Sequence, residues 1–458
     1  MYPRLNPFRP RPRSAWLVLL LLIGAARFVY GLSASPAGWL SPTYMDVVYE
    51  RQSSGSVDGL EDGSQERRWG PLFFLGMRAL RRAVPDPPQL RLLERVLLTG
   101  LYVWTGYLLI RLLRVLELPW LEREGTQRKW VLLFLFLQST AAIYAITNGM
   151  GEIVSAFCIV AHFHYFVRRQ FLVAALLITI GVYFKLYPIV FLFPYALFSI
   201  ASREHRRYVA CLAGSVILVA LPAMAGAGWV FGPLYPLSMF RLVMTQPSVI
   251  PLRSKEVFGL LFFVTRMLTS FSVQHPDPSA AVLGRMLASV FTMMLMGSTA
   301  TCAVVLRIRE RGWAGEEGRR HLDLLIFQTA IGFLMLSFSP DVSITLLLPA
   351  IISLYAPLLI WSDPVRHPKI DARAIATWSL FVVGSILCGN LVPLSALLKV
   401  LPLRLLDQLA GNAVTDLIPH EKLMWYQVPM LGVYCLAAAT GLSLTTTRRR
   451  SPRPVAPG

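Results

Sequence analysis

Two residues in this sequence combine reactive chemistry with unusual surroundings: Asp46 and Lys185. Asp46 stands in Tyr44-Met45-Asp46-Val47-Val48-Tyr49, a few residues beyond a first apolar run, whereas Asp58, Glu61, Asp62 and Glu66 lie in a Gly/Ser-rich polar stretch. A carboxylate kept among apolar neighbours suits general-base work, taking a proton from a hydroxyl as that hydroxyl attacks. Its plainer alternative is a helix N-cap, because Asp accepts hydrogen bonds from the free N–H groups of a first turn. Lys185 sits in Phe184-Lys185-Leu186-Tyr187-Pro188, between two apolar arms. An ammonium inside a membrane is costly and marks a functional site with an anionic partner; the alternative is a lysine that snorkels from a helix end to the headgroups. A base near a membrane surface and a cation for phosphate together point to chemistry on an anionic, lipid-linked substrate.

The elements that position these residues are membrane spans. Hydrophobic residues make up 55% of the 458 and charged residues only 15%, against about 25% charge in soluble domains. The net charge of +19 comes from arginines clustered between apolar runs, the positive-inside pattern of a membrane protein rather than a nucleic-acid footprint. Cys158, Cys211, Cys302, Cys388 and Cys435 all fall inside apolar runs without paired spacing, so neither a disulfide framework nor a zinc site is indicated. The basic residues 1–13 followed by a long apolar run read as a signal anchor.

Residues 168–207 decide the layout. An apolar run over 171–201 is flanked by Arg168 and Arg169 on one side and by Arg203, Arg206 and Arg207 on the other. As one helix it would measure roughly 46 Å, well beyond a hydrocarbon core of about 30 Å. Basic residues on both flanks mean that the run enters and returns on one side. The turn falls at Lys185-Leu186-Tyr187-Pro188, where Pro188 removes a backbone donor and breaks the helix.

Further spans are expected at residues 14–32, 92–116, 130–147, 153–167, 208–228, 282–306, 322–338, 342–361, 375–397 and 425–444. The fold class expected is therefore all-α and polytopic, a single integral-membrane domain over 1–458 with about 11–12 transmembrane segments. Both termini, 1–13 and 446–458, are expected on the cytoplasmic side. The opposite face then carries a first outer loop at 33–89, the short turn Asn148-Gly149-Met150-Gly151-Glu152, a connection at 229–281 and another at 395–424. Within 229–281, an apolar helical pattern near Phe258 carries Arg266 and reads as an interfacial helix aiming that arginine at the site. Arg241, Arg253, Lys255 and Arg266 either hold a phosphate or neutralise headgroups. His162 and His164, two apart on a helix, point to different faces and suit packing better than metal ligation.

Three tracts resemble the polyprenol-phosphate-mannose-dependent mannosyltransferases, membrane glycosyltransferases of the GT-C fold. Met45-Asp46-Val47-Val48-Tyr49, followed by Trp69-Gly70-Pro71-Leu72-Phe73, is similar to the family's first outer loop. Asn148 to Glu152, through Phe184-Lys185-Leu186-Tyr187-Pro188, resembles its outer turn, helix and Leu-Lys-x-Tyr-Pro hairpin. Ser337-Phe338-Ser339-Pro340-Asp341, continuing to Leu348-Pro349, resembles its entry to a late span. Met150 and Glu152 stand where the family has Gln and Asn, and Asp341 where it has Gln.

The resemblance implies an inverting transfer of a sugar, mannose by expectation, from a polyprenyl-phosphate donor to a lipid or glycan acceptor. It places the reaction on the non-cytoplasmic face of a membrane, with a bacterial plasma membrane expected. Asp46 is the expected base, and Lys185, Tyr187, Tyr49, Asn148, Glu152, Arg253, Lys255, Arg266 and Asp341 are the expected substrate-binding residues. No metal, cofactor or nucleic acid is expected; the lipid-linked sugar is a co-substrate. The competing readings are a transporter or flippase of an anionic lipid, since broken helices also mark transport sites, and a non-catalytic subunit of a glycosylation complex.

Overall fold

The computed structural model describes residues 69–115, 140–147, 149, 151–185, 188 and 203–233, parts of 22–29 and 42–50, and a few positions between 375 and 384 and at 435. The expected spans between 234 and 374 and most of those at either end of the chain lie outside the described residues. Among the described residues every regular element is helical, as suits a membrane protein that must satisfy its backbone within each segment.

The segment expected as the first outer loop contains a helix, α1 (Pro71–Ala83). Pro71 starts it, since a proline at the first helical position gives up an N–H that would be unpaired anyway. Its face of Phe73, Phe74 and Met77 is buried, and Arg81 and Arg82 close the last turn, where cations complement the helix dipole. Helix α2 (Pro87–Val115) follows at once. It begins at Pro87 rather than near 92, because its first turns carry Arg91, Glu94 and Arg95 and are not apolar. Helix α3 (Thr140–Thr147) leads into the turn at Gly149.

Helices α4 (Glu152–Val167) and α5 (Phe171–Phe184) form an antiparallel hairpin. At its bend the Gln170 N–H donates to the Tyr165 carbonyl at 3.0 Å and the Arg169 N–H to the Phe166 carbonyl at 2.9 Å. Arg169 has φ of 62°. This is a Schellman close with arginine at the left-handed position where glycine is usual. At the other end of α5, Lys185 turns to extended backbone and its N–H caps the Gly181 carbonyl at 2.9 Å.

Helix α6 (Arg203–Ser215) continues through a π turn (Val216–Ala220) into α7 (Leu221–Phe231). Pro222 lies in the first turn of α7, and the widened turn before it relieves the clash between a mid-helix proline ring and the carbonyl one turn earlier. The run Arg206–Phe231 is 26 residues long and apolar enough to cross a bilayer.

Contacts sort the elements into two ends. Tyr208 packs on Phe166 and Phe171, with ring centres 4.9 and 6.0 Å apart, so α6 starts beside the Arg168–Arg169 bend. Phe231, where α7 finishes, packs on Phe74 of α1 at 5.9 Å, and the Arg78 guanidinium donates to the Val230 carbonyl at 3.4 Å. Arg168, Arg169, Arg206 and Arg207 thus share one end, and the Lys185 end carries α1 with Arg78, Arg81 and Arg82. Across the bundle, Glu94, Arg95, Glu152, His162, His164 and Lys185 are buried, whereas Val96, Val103, Trp104, Ile217, Leu218 and Leu221 face outward. Polar residues inside and apolar residues outside is the distribution that lipid, not water, selects.

Candidate active site

The segment that leads into α1 is fastened to the end of α5. Trp69 and Lys185 form an antiparallel β-bridge, and the Gly70 N–H donates to the Phe184 carbonyl at 2.8 Å. Gly70 permits this approach: a Cβ there would lie 1.9 Å from the Tyr183 carbonyl oxygen. The Trp69 ring is buried against Phe73, with centres 4.3 Å apart, and meets Phe184 edge-on at 5.7 Å. These rings join Met45, Tyr49, Phe74 and Met77 in one apolar cluster that supports the loop.

Lys185 lies within that support. Its Nζ sits 4.2 Å from the centre of the Trp69 ring and is ion-paired with Oε1 of Glu152. Both side chains are almost wholly buried, at 2% and 0% exposure. The anionic partner expected for Lys185 is therefore supplied by the chain itself, and the lysine is enclosed rather than snorkelling. Glu152 opens α4, where a carboxylate is favoured by the free N–H groups and the helix dipole.

Asp46 belongs to the same end. The Met45 N–H donates to the Gly149 carbonyl at 3.2 Å. Gly149 has φ of +62°, and a Cβ on it would run into the Thr43 side chain, so the turn before α4 and the start of the outer loop fit only around a glycine. Thr43, not Asp46, caps the helical turn: its Oγ1 accepts the Asp46 N–H at 3.0 Å. The N-cap reading of Asp46 is thereby replaced. Thr43 in turn donates to Oε2 of Glu94 on α2 at 2.5 Å.

Freed from capping, the Asp46 carboxylate receives two guanidinium groups. Arg81 of α1 bonds to Oδ1, and Arg91 of α2 donates its Nε to Oδ2 at 3.2 Å. The carboxylate is 3% exposed and the two arginines 26% and 21%. Arg81 also reaches Oε1 of the exposed Glu50 at 3.1 Å and lies 4.6 Å over the Tyr49 ring. Burial alone would lower the Arg81 pKa, but Asp46 and then Glu50 outweigh it and raise the guanidinium above its ordinary value. Arg95, buried beside Glu94, donates its Nε to the Thr147 carbonyl at 3.1 Å, at the C-terminus of α3 where a cation is favourable.

Of the residues expected at the site, Asp46, Tyr49, Glu152 and Lys185 are thus brought to one end of the bundle. Tyr49 backs Arg81 and packs on Phe74. Tyr187, Asn148, Arg253, Lys255, Arg266 and Asp341 lie outside the described residues. The expectations missed Thr43, Arg81, Arg91 and Glu94. A usable signal was the Arg78, Arg81, Arg82 spacing behind Pro71, which is that of a basic helix face. His162 and His164 take no part: His162 Nδ1 donates to the Ala174 carbonyl at 3.1 Å inside the α4–α5 hairpin. Among the described residues no group of three His, Cys, Asp or Glu side chains is arranged to hold a metal ion.

Comparison with known proteins bears on the half of this site contributed by α3 to α5. Residues 145–243 match the family described as Mannosyltransferase (PIG-M). A GPI mannosyltransferase 1 from Eremothecium gossypii is 27% identical over 114 residues, which is 25% of this chain and 29% of that protein. The chain thus matches less than a third of the length of this curated relative. Glu152 and Lys185 fall inside the stretch 145–243, so this half of the site is built from a segment similar to the mannosyltransferases.

Proposed function

We propose that this chain is an inverting mannosyltransferase that uses a polyprenyl-phosphate-linked mannose and acts on a lipid or glycan acceptor at the non-cytoplasmic face of the membrane. The observation that carries this reading is the joining of Asp46 to the Glu152–Lys185 pair at one end of the bundle, through Thr43, Gly149 and Trp69. That end is built partly from the stretch that matches the mannosyltransferases. An acceptor hydroxyl attacks the anomeric carbon from the face opposite the phosphate, and the bond from that carbon to the phosphate oxygen breaks. Asp46 takes the hydroxyl proton, and the electron pair leaves with polyprenyl phosphate. Lys185 is committed to Glu152 and Trp69, so its part is to hold the outer loop and the turn before α4 in register around the reacting groups. The transition state carries oxocarbenium character, as in other inverting reactions at sugar carbons.

The test is transfer of radiolabelled mannose from polyprenyl-phosphate-mannose into the lipid and glycan fractions of membranes containing the full chain. Asp46→Asn keeps the side-chain volume but removes the base, and is expected to lower turnover by about 10²-fold or more. Transfer at the wild-type rate in that variant would remove Asp46 from the mechanism; an absence of transfer by the intact chain would reject the reading altogether.

A further inference from the structure

A carboxylate that is to accept a proton needs an oxygen with which to take it. In the structure neither Asp46 oxygen is open, because Arg81 holds Oδ1 and Arg91 holds Oδ2. The accessibility runs the other way: Asp46 is 3% exposed, while Arg81 and Arg91 are 26% and 21% exposed. Anything arriving from outside therefore meets the cations first. Arg81 remains anchored if Asp46 lets go, because Tyr49 lies under it and Glu50 takes a second bond at 3.1 Å. Its Nε has no hydrogen-bond partner among the described residues, so the fork has a donor left to give. Arg91 projects from the first turns of α2.

We propose that Arg81 and Arg91 are a two-guanidinium binding site for a phosphate ester, and that Asp46 occupies it as a built-in competing anion until that phosphate arrives. Planar guanidinium forks match the oxygens of a phosphate and bind it through paired charge-assisted hydrogen bonds. As the phosphate takes those bonds, Asp46 loses its partners and gains the open oxygen that a base requires, so donor binding and activation of the base become one event. That the phosphate belongs to the sugar donor rests on the function proposed above; phosphate binding by the arginine pair does not.

The two are separated by a binding measurement that involves no sugar. The full chain, purified in uncharged detergent, is titrated with radiolabelled farnesyl phosphate, with inorganic phosphate as competitor. Arg81→Gln and Arg91→Gln should each weaken binding by about tenfold or more, the effect of one charge-assisted hydrogen bond. Asp46→Asn should tighten it by a similar factor, because the competing anion is gone. Glu50→Gln, at an exposed residue, should tighten it less and in the same direction, which keeps the test open if Asp46→Asn fails to fold. Competition by inorganic phosphate would show that the phosphate group alone is recognised, and its absence would assign the site to the lipid-linked form. Unchanged or weaker binding in Asp46→Asn and Glu50→Gln, or wild-type binding in both arginine variants, would overturn the proposal, whatever the outcome of the mannose-transfer assay.

Discussion

Trp69 and Lys185 meet in a single antiparallel β-bridge, with the lysine ammonium 4.2 Å from the centre of the indole ring. Through that contact a loop segment and a helix end, far apart in the chain, become one wall. The ring shields the Lys185–Glu152 pair from outside, and the backbone pairing fixes where α1 starts. Since α1 carries Arg81, the position of the guanidinium on Asp46 depends on a contact made at Lys185.

The Glu152–Lys185 pair should therefore be structural before it is anything else. Removing one member of a buried ion pair leaves an uncompensated charge and costs about 3–5 kcal/mol, whereas replacing both by apolar residues is close to neutral. Lys185→Met alone should lower the unfolding midpoint in detergent markedly, and Glu152→Met with Lys185→Met should restore most of it. Equal stability of Lys185→Met and wild type would mean that the pair does not hold the loop. Loss of transfer in a stable double variant would add a direct role for Lys185 on the substrate.

The approach of the loop to α5 can be tested by one methyl group. In Gly70→Ala the new Cβ would sit 1.9 Å from the Tyr183 carbonyl oxygen, a contact that backbone cannot relieve without moving. Undocking of Trp69 should follow, read as a red shift of its fluorescence and loss of transfer. Gly76→Ala, on the same helix with nothing within 4 Å of its Cβ, should be neutral or stabilise by up to about 1 kcal/mol through helix propensity. A blue-shifted, active Gly70→Ala would refute the docking.

Much of this arrangement was legible in the sequence where a segment declares its own boundaries. Helices α4 and α5 fell within about one residue of the apolar runs, because Arg168 and Arg169 on one side and Lys185 and Pro188 on the other leave little choice of ends. Asp46 stood out as a carboxylate without polar company. Its partners did not, because Arg81 and Arg91 are two among several arginines between 78 and 95. Only the packing of α1 against α7 and the start of α2 next to Asp46 turn these two toward one carboxylate. Nor does sequence spacing reveal that Lys185 finds its anion 33 residues away in Glu152.

Thr43 is expected to position Asp46 rather than to react. Its hydroxyl accepts the Asp46 N–H and donates to Glu94, so Thr43→Val leaves a buried carboxylate short of a donor at a cost of about 1–3 kcal/mol. Turnover should fall while Thr43→Ser retains both bonds and most of the rate. If Thr43→Val and Thr43→Ser transferred mannose equally well, the hydroxyl link to Glu94 would be irrelevant to catalysis.

Sidedness is the remaining consequence of the two-ended bundle. The Arg168–Arg169 bend and the start of α6, with Arg206 and Arg207, share one end, and Asp86, between α1 and α2, lies in the outer-loop region at the other. Arginines beside spans hold their end on the cytoplasmic side, which would put Asp46, Glu152 and Lys185 outside. Asp86 and Arg207 are both exposed, so each can carry a single cysteine in a chain stripped of Cys158, Cys211, Cys302, Cys388 and Cys435. In intact cells a membrane-impermeant maleimide should label Asp86→Cys, and Arg207→Cys should react only after the membrane is opened. The reverse pattern would place the Asp46 site on the cytoplasmic face and contradict transfer on the outer side; labelling of both in intact cells would mean that α6 and α7 do not separate the two ends across the bilayer.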